Sequence, residues 1–475
     1  MNTIFEKTFF LSRHGCAKNQ VDAELLVGWL NALGWKLSDE AETAAVIIVN
    51  TCGFIESAKK ESLEAVFQAR AANPGAIIIV AGCLAERYAN ELAQGLPEAD
   101  YFFGNGDISK ITELFKTISD TDGQKNAKNA ANKKRVWLYP QKGVCCGARP
   151  LSFSFPASTY IKITEGCNNC CSFCAIPLIR GSVRSRSIAD IVGEIKMRAQ
   201  AGVYEFNLIG QDLASFTCES EELHHDSALA ELLCEIGKLN EDFVIRLLYI
   251  HPDNFPLDIL PIMQADRRFL PYFDLPFQSA SEKVLKAMNR RGNAQKYLAL
   301  IENIQSAFRE SPYRQACIRT TFLTGFPGET DADFNETLQF LKDAKALWSG
   351  AFDFSPEENT KAVSLAGQIP QKIALERKQI LEACQSEITA QVLEKFIGQT
   401  LPVLVEEIIE NPNEQNYFVL GRSWFQAPEV DGSVVTVVDS PAEIKRIKPG
   451  SKITVKITAV RTVDLEAELL SEQHG

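Results

Sequence analysis

The sequence predicts an α/β protein in three parts: an N-terminal parallel α/β domain, a central, incomplete (βα)6 barrel of the TIM type, and a small C-terminal antiparallel β-barrel. Three observations support this prediction. Short apolar strands alternate with helical segments in the first third of the chain, the alternation resumes from Ala157, and strands without intervening helices follow from about Gly398. Continuous apolar strands separated by helices are typical of parallel sheets covered on both faces.

The N-terminal part, residues 1–118, alternates strands with helices. The strands are predicted at residues 8–12, 45–49 and 76–81, and helices at about 21–33 and 57–71. The range 119–152 is assigned as a linker or surface loop, because residues 119–135 are polar and lack periodicity.

The central part, residues 153–396, alternates six strands with helices and ends in a long helix at 371–396. The strands are predicted at 160–164, 205–209, 244–249, 272–275, 318–323 and 350–354. This alternation favours a βα barrel that is not complete. The last part, residues 397–470, has short strands at 403–405, 417–420, 434–438 and 452–457, which predict a small barrel of the oligonucleotide-binding type.

Composition narrows the class of protein. The chain has 475 residues, of which 45% are hydrophobic and 23% charged, and no apolar run has the length of a membrane span. The first ten residues lack a signal-peptide pattern, so we expect a cytoplasmic protein with no membrane association. Thirteen cysteines in such a chain favour thiol or metal chemistry over disulfides.

The net charge of −12 gives no sign of a nucleic-acid substrate, since polyanions are normally bound by clustered Lys and Arg. From residue 397 onward, twelve Asp or Glu stand against seven Lys or Arg. An acidic barrel suits a basic protein partner better than RNA. The alternative interpretation is that the negative charge only keeps the protein soluble.

Four cysteines fall within eight positions: Cys167, Cys170, Cys171 and Cys174. Paired as two C-x2-C units they suggest a zinc site, but the units abut, and adjacent side chains diverge in an extended loop. Grouped as Cys167-x3-Cys171-x2-Cys174, they suggest a 4Fe–4S cluster with one iron that has no protein ligand. S-adenosylmethionine is a candidate ligand for that iron, and its reductive cleavage gives a radical able to remove hydrogen from an unactivated carbon.

Three other cysteines, nearer the N-terminus, have the same local setting as one another. Cys16, Cys52 and Cys83 each follow a predicted parallel strand. Carboxyl ends of parallel strands meet at one edge of a sheet, so these thiols are candidates for a second cluster with an open iron. The alternative is three unrelated buried thiols, since free cysteine often lies in a core.

The segment with Cys167, Cys171 and Cys174 resembles the motif of the radical S-adenosylmethionine superfamily, C-x3-C-x-aromatic-C, in which Phe173 is the aromatic residue. By that resemblance Cys170 is a bystander. The wider sequence resembles the methylthiotransferases within that superfamily. The resemblance covers nearly the whole chain. It is least informative from residue 119 to 150, where Cys145 and Cys146 are a peculiarity of this sequence. It rests on the segments HGCAKNQVD at 14–22, NTCGFIESA at 50–58, GCLAERY at 82–88, RLLYIHP at 246–252, LPFQS at 275–279, NRRG at 289–292, RTTF at 319–322, GFPGET at 325–330 and GRSWFQAPEVDG at 421–432.

The resemblance implies two 4Fe–4S clusters, S-adenosylmethionine as cofactor and transfer of a methylthio group. It is greatest to the members that modify an aspartate β-carbon of ribosomal protein S12, so this basic protein is the expected substrate. It further implies an electron donor such as a flavodoxin or ferredoxin, a C-terminal barrel of the TRAM type, and a monomer. Two alternatives remain: the same chemistry on a tRNA adenosine, and a non-enzymatic iron–sulfur carrier in which Cys145, Cys146 or Cys170 supplies a fourth ligand.

Residues near the predicted strand ends are candidates for cofactor contact. The candidates are Phe173, Gln211, Asp212, Gln278 and Gly325. They are expected to lie at the mouth of the barrel or where the backbone can approach a ligand closely. His251 is expected to be structural, and Trp424 to pack in a core rather than anchor the substrate.

Overall fold

The computed structural model describes residues 7–120, 134–219, 224–412 and 416–470, and it confirms the three-part α/β architecture. The predicted polar run 119–135 lies mostly outside the described residues. Among the residues that are described, no helix has the length and apolar character needed to cross a membrane.

The N-terminal sheet has six parallel strands within the described ranges, in the order β2-β1-β3-β4-β5-β6. The strands are β1 Thr8–Arg13, β2 Lys36–Leu37, β3 Val46–Thr51, β4 Ile77–Gly82, β5 Tyr101–Phe103 and β6 Val136–Trp137. The helices are α1 Ala17–Ala32, α2 Glu56–Ala72, α3 Cys83–Gly95 and α4 Ile111–Asp120, with a 3-10 turn at Ile108–Lys110. Every residue of β3 and β4 is buried, as expected of strands covered on both faces.

The central part contains a second parallel sheet, in the order β14-β13-β12-β11-β10-β7, with β7 and β14 at its edges. Its strands are β7 Ser158–Lys162, β10 Glu205–Ile209, β11 Val244–Leu247, β12 Phe269–Asp274, β13 Cys317–Thr324 and β14 Trp348–Asp353. A short pair, β8 Thr164–Glu165 and β9 Arg184–Ser185, brackets the loop with the four clustered cysteines. These six parallel strands agree with the predicted incomplete barrel.

Helices surround this second sheet. They are α5 Ile176–Arg180, α6 Ile188–Gln200, α7 Ala228–Gly237, α8 Ile259–Ala265, α9 Glu282–Ala287, α10 Ala294–Phe308, α11 Asp331–Ala344 and α12 Gln371–Leu393. The described residues of the central part also form four 3-10 turns, at Leu213–Ser215, Pro252–Asn254, Lys361–Ser364 and Glu394–Phe396. The last of these turns completes the long helical stretch that the sequence predicts.

The C-terminal part is a closed barrel of five described strands, in the order β15-β16-β17-β19-β18. They are β15 Thr400–Asn411, β16 Asn416–Arg422, β17 Val434–Val438, β18 Lys452–Arg461 and β19 Asp464–Leu469, and a short helix α13 spans Pro441–Ile444. The pairings are antiparallel except for β17 with β19, which is parallel. The fifth strand, β19, is not predicted by the sequence.

A buried ion network joins the C-terminal barrel to the central part. Glu205 on β10 accepts hydrogen bonds from Arg246 at 2.9 Å and from both Nη atoms of Arg422 at 3.0 and 2.7 Å. Arg422 also pairs with Glu406, and each of these side chains is at most 7% exposed. Burial alone would raise the pKa of Glu205, but Arg422 and Arg246 hold it well below its usual range.

Replacing Arg422 with methionine is expected to lower the free energy of unfolding by about 3–5 kcal/mol, because the buried Glu406 would lose its partner and the buried Glu205 would keep only Arg246. Lys452→Met is the matched control. Lys452 pairs with Asp242 across the same boundary, but the two side chains are 45% and 78% exposed, so its loss should cost less than about 1 kcal/mol. Urea denaturation of both variants checks this, and equal losses would contradict it.

Candidate functional site

Cys16, Cys52 and Cys83 lie at the carboxyl ends of β1, β3 and β4, which are neighbours in the N-terminal sheet. Cys16 is the N-cap of α1 and Cys83 is the first residue of α3. The three loops approach closely only because glycines adjoin the cysteines. A Cβ at Gly15 would lie 3.1 Å from Cβ of Cys52, and one at Gly53 would lie 2.8 Å from the Cys83 backbone.

The three thiols are near enough to affect one another's ionisation. Burial, followed by the charges of Cys83 and Cys16, raises the pKa of Cys52 to about 12, and burial likewise raises the pKa of Cys83. Cys16 is exposed; desolvation by the surrounding chain would still raise its pKa, but Lys18 and Arg180 bring it below its ordinary value. Three mutually repelling thiolates are stabilised when a metal cluster binds them, and all three cysteines are free of disulfides.

Arg180, at the end of α5, connects this triad to the central part. Its Nη2 donates to Sγ of Cys83 at 3.3 Å, to Oδ1 of Asn19 at 3.2 Å and to Oδ2 of Asp22 at 2.9 Å. Asn105 donates a second hydrogen bond to Sγ of Cys83, at 3.4 Å. These donors favour the thiolate form of Cys83 and fix the direction of its sulfur.

A buried charge network holds Arg180 in place. Its Nη1 pairs with Glu165, and Lys162 on β7 pairs with both Glu165 and Asp22. Burial would raise the pKa of Glu165, yet Lys162 and Arg180 lower it to about 2, so this carboxylate stays charged at neutral pH. These residues were not predicted from the sequence, although a lysine within a buried strand is an available signal.

The second triad, Cys167, Cys171 and Cys174, lies in the loop between β8 and α5. Burial raises the pKa of Cys167 to about 11 and that of Cys174 to about 12, and the proximity of Cys171 contributes to both shifts. Backbone hydrogen bonds from Cys167 N to Gly181 O and from Cys174 N to Cys171 O, both 3.0 Å, shape the loop. The structure therefore brings these three thiols together.

The end of α9 and the residues that follow it form hydrogen bonds that hold this loop in place. Ser172 donates through its backbone N to Met288 O at 3.0 Å and through Oγ to Ala287 O at 2.8 Å. Asn289 donates to the carbonyl of Cys170 at 3.1 Å. Such anchoring holds the cysteines in one arrangement before any cluster binds.

The remaining cysteines near the site differ from the triads. Cys170 is exposed and has a left-handed φ of 51°. Sγ of Cys145 accepts a hydrogen bond from Ile108 N at 3.3 Å, and Cys146 is exposed. The principal ionisable neighbours of Cys145 and Cys146 do not include a triad cysteine.

His251 and Asp212 lie beside the second triad. Nε2 of His251 is 4.0 Å from Sγ of Cys171, and the His251 backbone N donates to Asp212 at 3.0 Å. Asp212 also accepts from Asn169 in the cysteine loop at 2.7 Å. Burial, with Arg290, lowers the pKa of His251 to about 4, so the imidazole is neutral at neutral pH.

A cavity of about 770 Å³ lies between the loop that follows Cys52 and the loop of the second triad. Its wall includes Phe54 and Ile55 from the loop after Cys52, and Phe173 from the loop of the second triad. Cys83 also packs against Ala175 and Ile179. The two triads are thus neighbours at one junction between the N-terminal and central parts.

Glu357 holds the two parts together at the rim of this cavity. It accepts hydrogen bonds from Arg87 at 2.6 Å and from Lys59 at 3.2 Å, and its side chain is 4% exposed. Both partners belong to the N-terminal part, so this ion pair limits how far the cavity can open.

Of the five residues selected for cofactor contact, Asp212 lies beside the second triad, and the other four separate into two pairs. Phe173 and Gln278 line the cavity, whereas Gln211 and Gly325 are not part of its wall. The side-chain amide of Gln211 is buried, and neither its nitrogen nor its oxygen has a partner within the described structure. A Cβ at Gly325 would lie 2.3 Å from that of Ala374, so this glycine is required for packing of α12.

The residues present fit iron–sulfur clusters. Within the described ranges, no three or more His, Cys, Asp or Glu side chains are arranged to hold a single metal ion, but a cluster of several irons has different requirements. A 4Fe–4S cube is larger than one ion, since sulfides bridge its irons, and its ligands are thiolates. Two sets of three free, adjacent thiols are the donor set that such cubes require. The cavity with Phe173 and Gln278 in its wall leaves room for a polar cofactor.

Three families of known proteins match successive ranges of the chain. Residues 8–104 match the family described as "Uncharacterized protein family UPF0004", residues 161–341 match the radical SAM superfamily, and residues 397–470 match the TRAM domain. Cys16, Cys52 and Cys83 lie in the first range, and the second triad lies in the second.

Curated relatives match nearly the whole chain. The ribosomal protein uS12 methylthiotransferase RimO of Treponema denticola is 52% identical, over 96% of this chain and 99% of its own. The protein of the same name from Aquifex aeolicus is 40% identical, over 95% and 94%. Among solved structures, the radical S-adenosylmethionine methyltransferase TsrM of Kitasatospora setae aligns with a TM-score of 0.51 at 16% identity, over 73% of this chain and 72% of its own. That likeness concerns the fold alone.

Proposed function

The chain belongs to the family of ribosomal protein uS12 methylthiotransferases, and from this premise we propose that it transfers a methylthio group to the β-carbon of an aspartate in ribosomal protein uS12. The observation that carries the proposal is the presence of two free cysteine triads beside one cavity. A single triad would suit many radical enzymes, whereas sulfur transfer needs a second place for the sulfur.

Cys167, Cys171 and Cys174 would hold one 4Fe–4S cluster, which membership of the radical SAM superfamily implies together with S-adenosylmethionine. Cys16, Cys52 and Cys83 would hold a second. When bound, the first cluster supplies the electron that cleaves S-adenosylmethionine, and the second supplies a site for the transferred sulfur. Each triad leaves one iron of a cube free for such a ligand.

The protein's own residues orient and enclose the reactants. Arg180 and Asn105 hold Sγ of Cys83, and the buried pairs around Lys162 keep Arg180 from moving. The aromatic rings of Phe54 and Phe173 in the cavity wall would help to exclude water from S-adenosylmethionine, and shielding from water protects a radical from side reactions.

Two polar side chains are available to orient the cofactor. Gln278 lies in the cavity wall, and its left-handed φ of 69° is sustained by a hydrogen bond from its backbone N to Thr321 O, at 2.8 Å. The buried side-chain amide of Gln211 has no partner within the described structure, so it would be available to a polar ligand.

The acidic C-terminal barrel supports a basic protein substrate over tRNA. We place the activity in the cytoplasm with the ribosomal protein, and we expect a monomer reduced by a flavodoxin or ferredoxin. These partners follow from the proposed chemistry, since cleavage of S-adenosylmethionine consumes an electron.

Mass spectrometry of uS12 and of bulk tRNA from a deletion strain tests the substrate. We expect the methylthio group to disappear from an aspartate of uS12 and the tRNA to be unchanged. Restoration by the wild-type gene is the control. Loss of a methylthio group from tRNA, with uS12 unchanged, would instead assign the protein to RNA modification.

A further inference from the structure

Lys18 is a buried cation that has no carboxylate partner in the described part of the chain. It lies in the first turn of α1, two residues after Cys16, and is 8% exposed. Within the described residues, its ammonium forms neither an ion pair nor a hydrogen bond. The buried Lys162 is different, since Asp22 and Glu165 both pair with it. The charge of Lys18 favours the thiolate of Cys16, but its N–H donors have no acceptor among the described residues, and buried donors without an acceptor are unfavourable unless a ligand provides one.

The ammonium of Lys18 is held by an aromatic ring of the barrel. Nζ lies 3.4 Å from the centroid of the Tyr249 ring, which is a close cation–π contact. Tyr249 follows β11 and has a left-handed φ of 67°, an unfavourable conformation for a bulky residue. Strain of this kind persists where a side chain must be placed for function. The contact between Lys18 and Tyr249 therefore connects the triad of Cys16, Cys52 and Cys83 to the mouth of the barrel.

The position of Lys18 favours the protein substrate over the cofactor as its anionic ligand. Lys18 is not part of the cavity wall that includes Phe173 and Gln278, where S-adenosylmethionine is proposed to bind. It adjoins Cys16, on the side where the sulfur would be held. An aspartate carries its carboxylate on the very carbon that receives the methylthio group, so a cation that binds the carboxylate also positions the carbon.

We propose, on the basis of the proposed function, that Lys18 binds the side-chain carboxylate of the substrate aspartate and sets its β-carbon between the two triads. The ring of Tyr249 occupies one face of the ammonium and leaves its other N–H donors for the two carboxylate oxygens. Asparagine, which has the same shape without the charge, is then rejected. Lys18 is a substrate-binding and specificity-determining residue in this arrangement.

The test compares the affinity of the anaerobically reconstituted, full-length protein for two forms of uS12. One is the natural protein, and the other has asparagine in place of the aspartate that the wild-type enzyme modifies. The wild type should bind the aspartate form about 10- to 100-fold more tightly, as expected of a charged hydrogen-bonded pair. Lys18→Met should bind both forms alike, and Lys18→Arg should restore part of the preference.

Lys116→Met, on the exposed face of α4, removes the same charge from the same part of the chain and should keep the full preference. Iron and sulfide content is measured on every variant. Lys18→Met that retains the preference for aspartate would overturn the proposal, and so would loss of one cluster, which would assign Lys18 to the Cys16 triad. If the wild type modifies no uS12 at all, the proposed function itself fails and this assignment fails with it.

Discussion

Replacing Cys167 with alanine is expected to abolish reductive cleavage of S-adenosylmethionine. Cys167, Cys171 and Cys174 influence one another's ionisation, so the three thiols act as one donor set, and two thiolates are too few to hold a cube with a single open iron. The rate of 5′-deoxyadenosine formation with excess dithionite should fall by at least about 10³-fold, as for loss of a residue that acts within a unit. Iron and sulfide content should fall by the amount of one cluster.

Cys170→Ala is the matched control, since it removes a thiol from the same loop. Cys170 is exposed, and its conformation is held through its carbonyl and not its sulfur. This variant should cleave S-adenosylmethionine at the wild-type rate. If Cys170→Ala were the inactive variant and Cys167→Ala active, the ligand assignment would be wrong.

The same experiment separates an enzyme from an iron–sulfur carrier. A carrier needs no open iron, so a fourth cysteine should complete each cluster. Cys145 and Cys146 have principal ionisable neighbours such as Lys162 and Arg186 rather than triad thiols. A reduced, fully loaded wild-type protein that leaves S-adenosylmethionine intact would favour the carrier.

Properties that depend on short stretches of chain were predictable from the sequence. Strand β10 has the predicted bounds of 205–209, and β3 and β4 differ from their predicted bounds by one or two residues. Buried β-branched runs identify such strands without reference to the rest of the protein. The placement of three cysteines at neighbouring strand ends follows from the parallel topology alone.

Short or atypical strands were not predictable. Strands β5 and β6 have three and two residues, which is too few for periodicity to be recognised. The sequence of β19, DLEAEL, has the acidic residues that strands generally disfavour, and its pairing with β17 and β18 determines its conformation. Tertiary context therefore decides these elements.

Contacts between distant parts of the chain were also beyond sequence reasoning. Arg180 and Asp22 are 158 positions apart, yet Arg180 joins Asp22 and Cys83 to the loop of the other triad. No local pattern distinguishes such an arginine from one on the surface. The candidate site could thus be predicted as two sets of thiols, whereas the charges that orient them required the structure.

Replacing Cys83 with alanine is expected to separate radical formation from sulfur transfer. The second triad is untouched, so the variant should still cleave S-adenosylmethionine and release 5′-deoxyadenosine. Methylthio transfer to uS12 should fall below detection, because only Cys16 and Cys52 remain for the other cluster. Arg180 loses one acceptor but keeps Asp22 and Glu165, so the fold should persist.

Cys145→Ala serves as the control for Cys83→Ala, since it removes a partly buried thiol from the same side of the molecule. It should keep both cleavage and transfer. Liquid chromatography quantifies 5′-deoxyadenosine, and mass spectrometry of uS12 quantifies the methylthio group in the same reaction. Transfer that survives Cys83→Ala would remove the chemical reason for a second triad, whereas loss of cleavage as well would mean that the two sites are not independent. Only intact cleavage with absent transfer assigns separate tasks to the two triads.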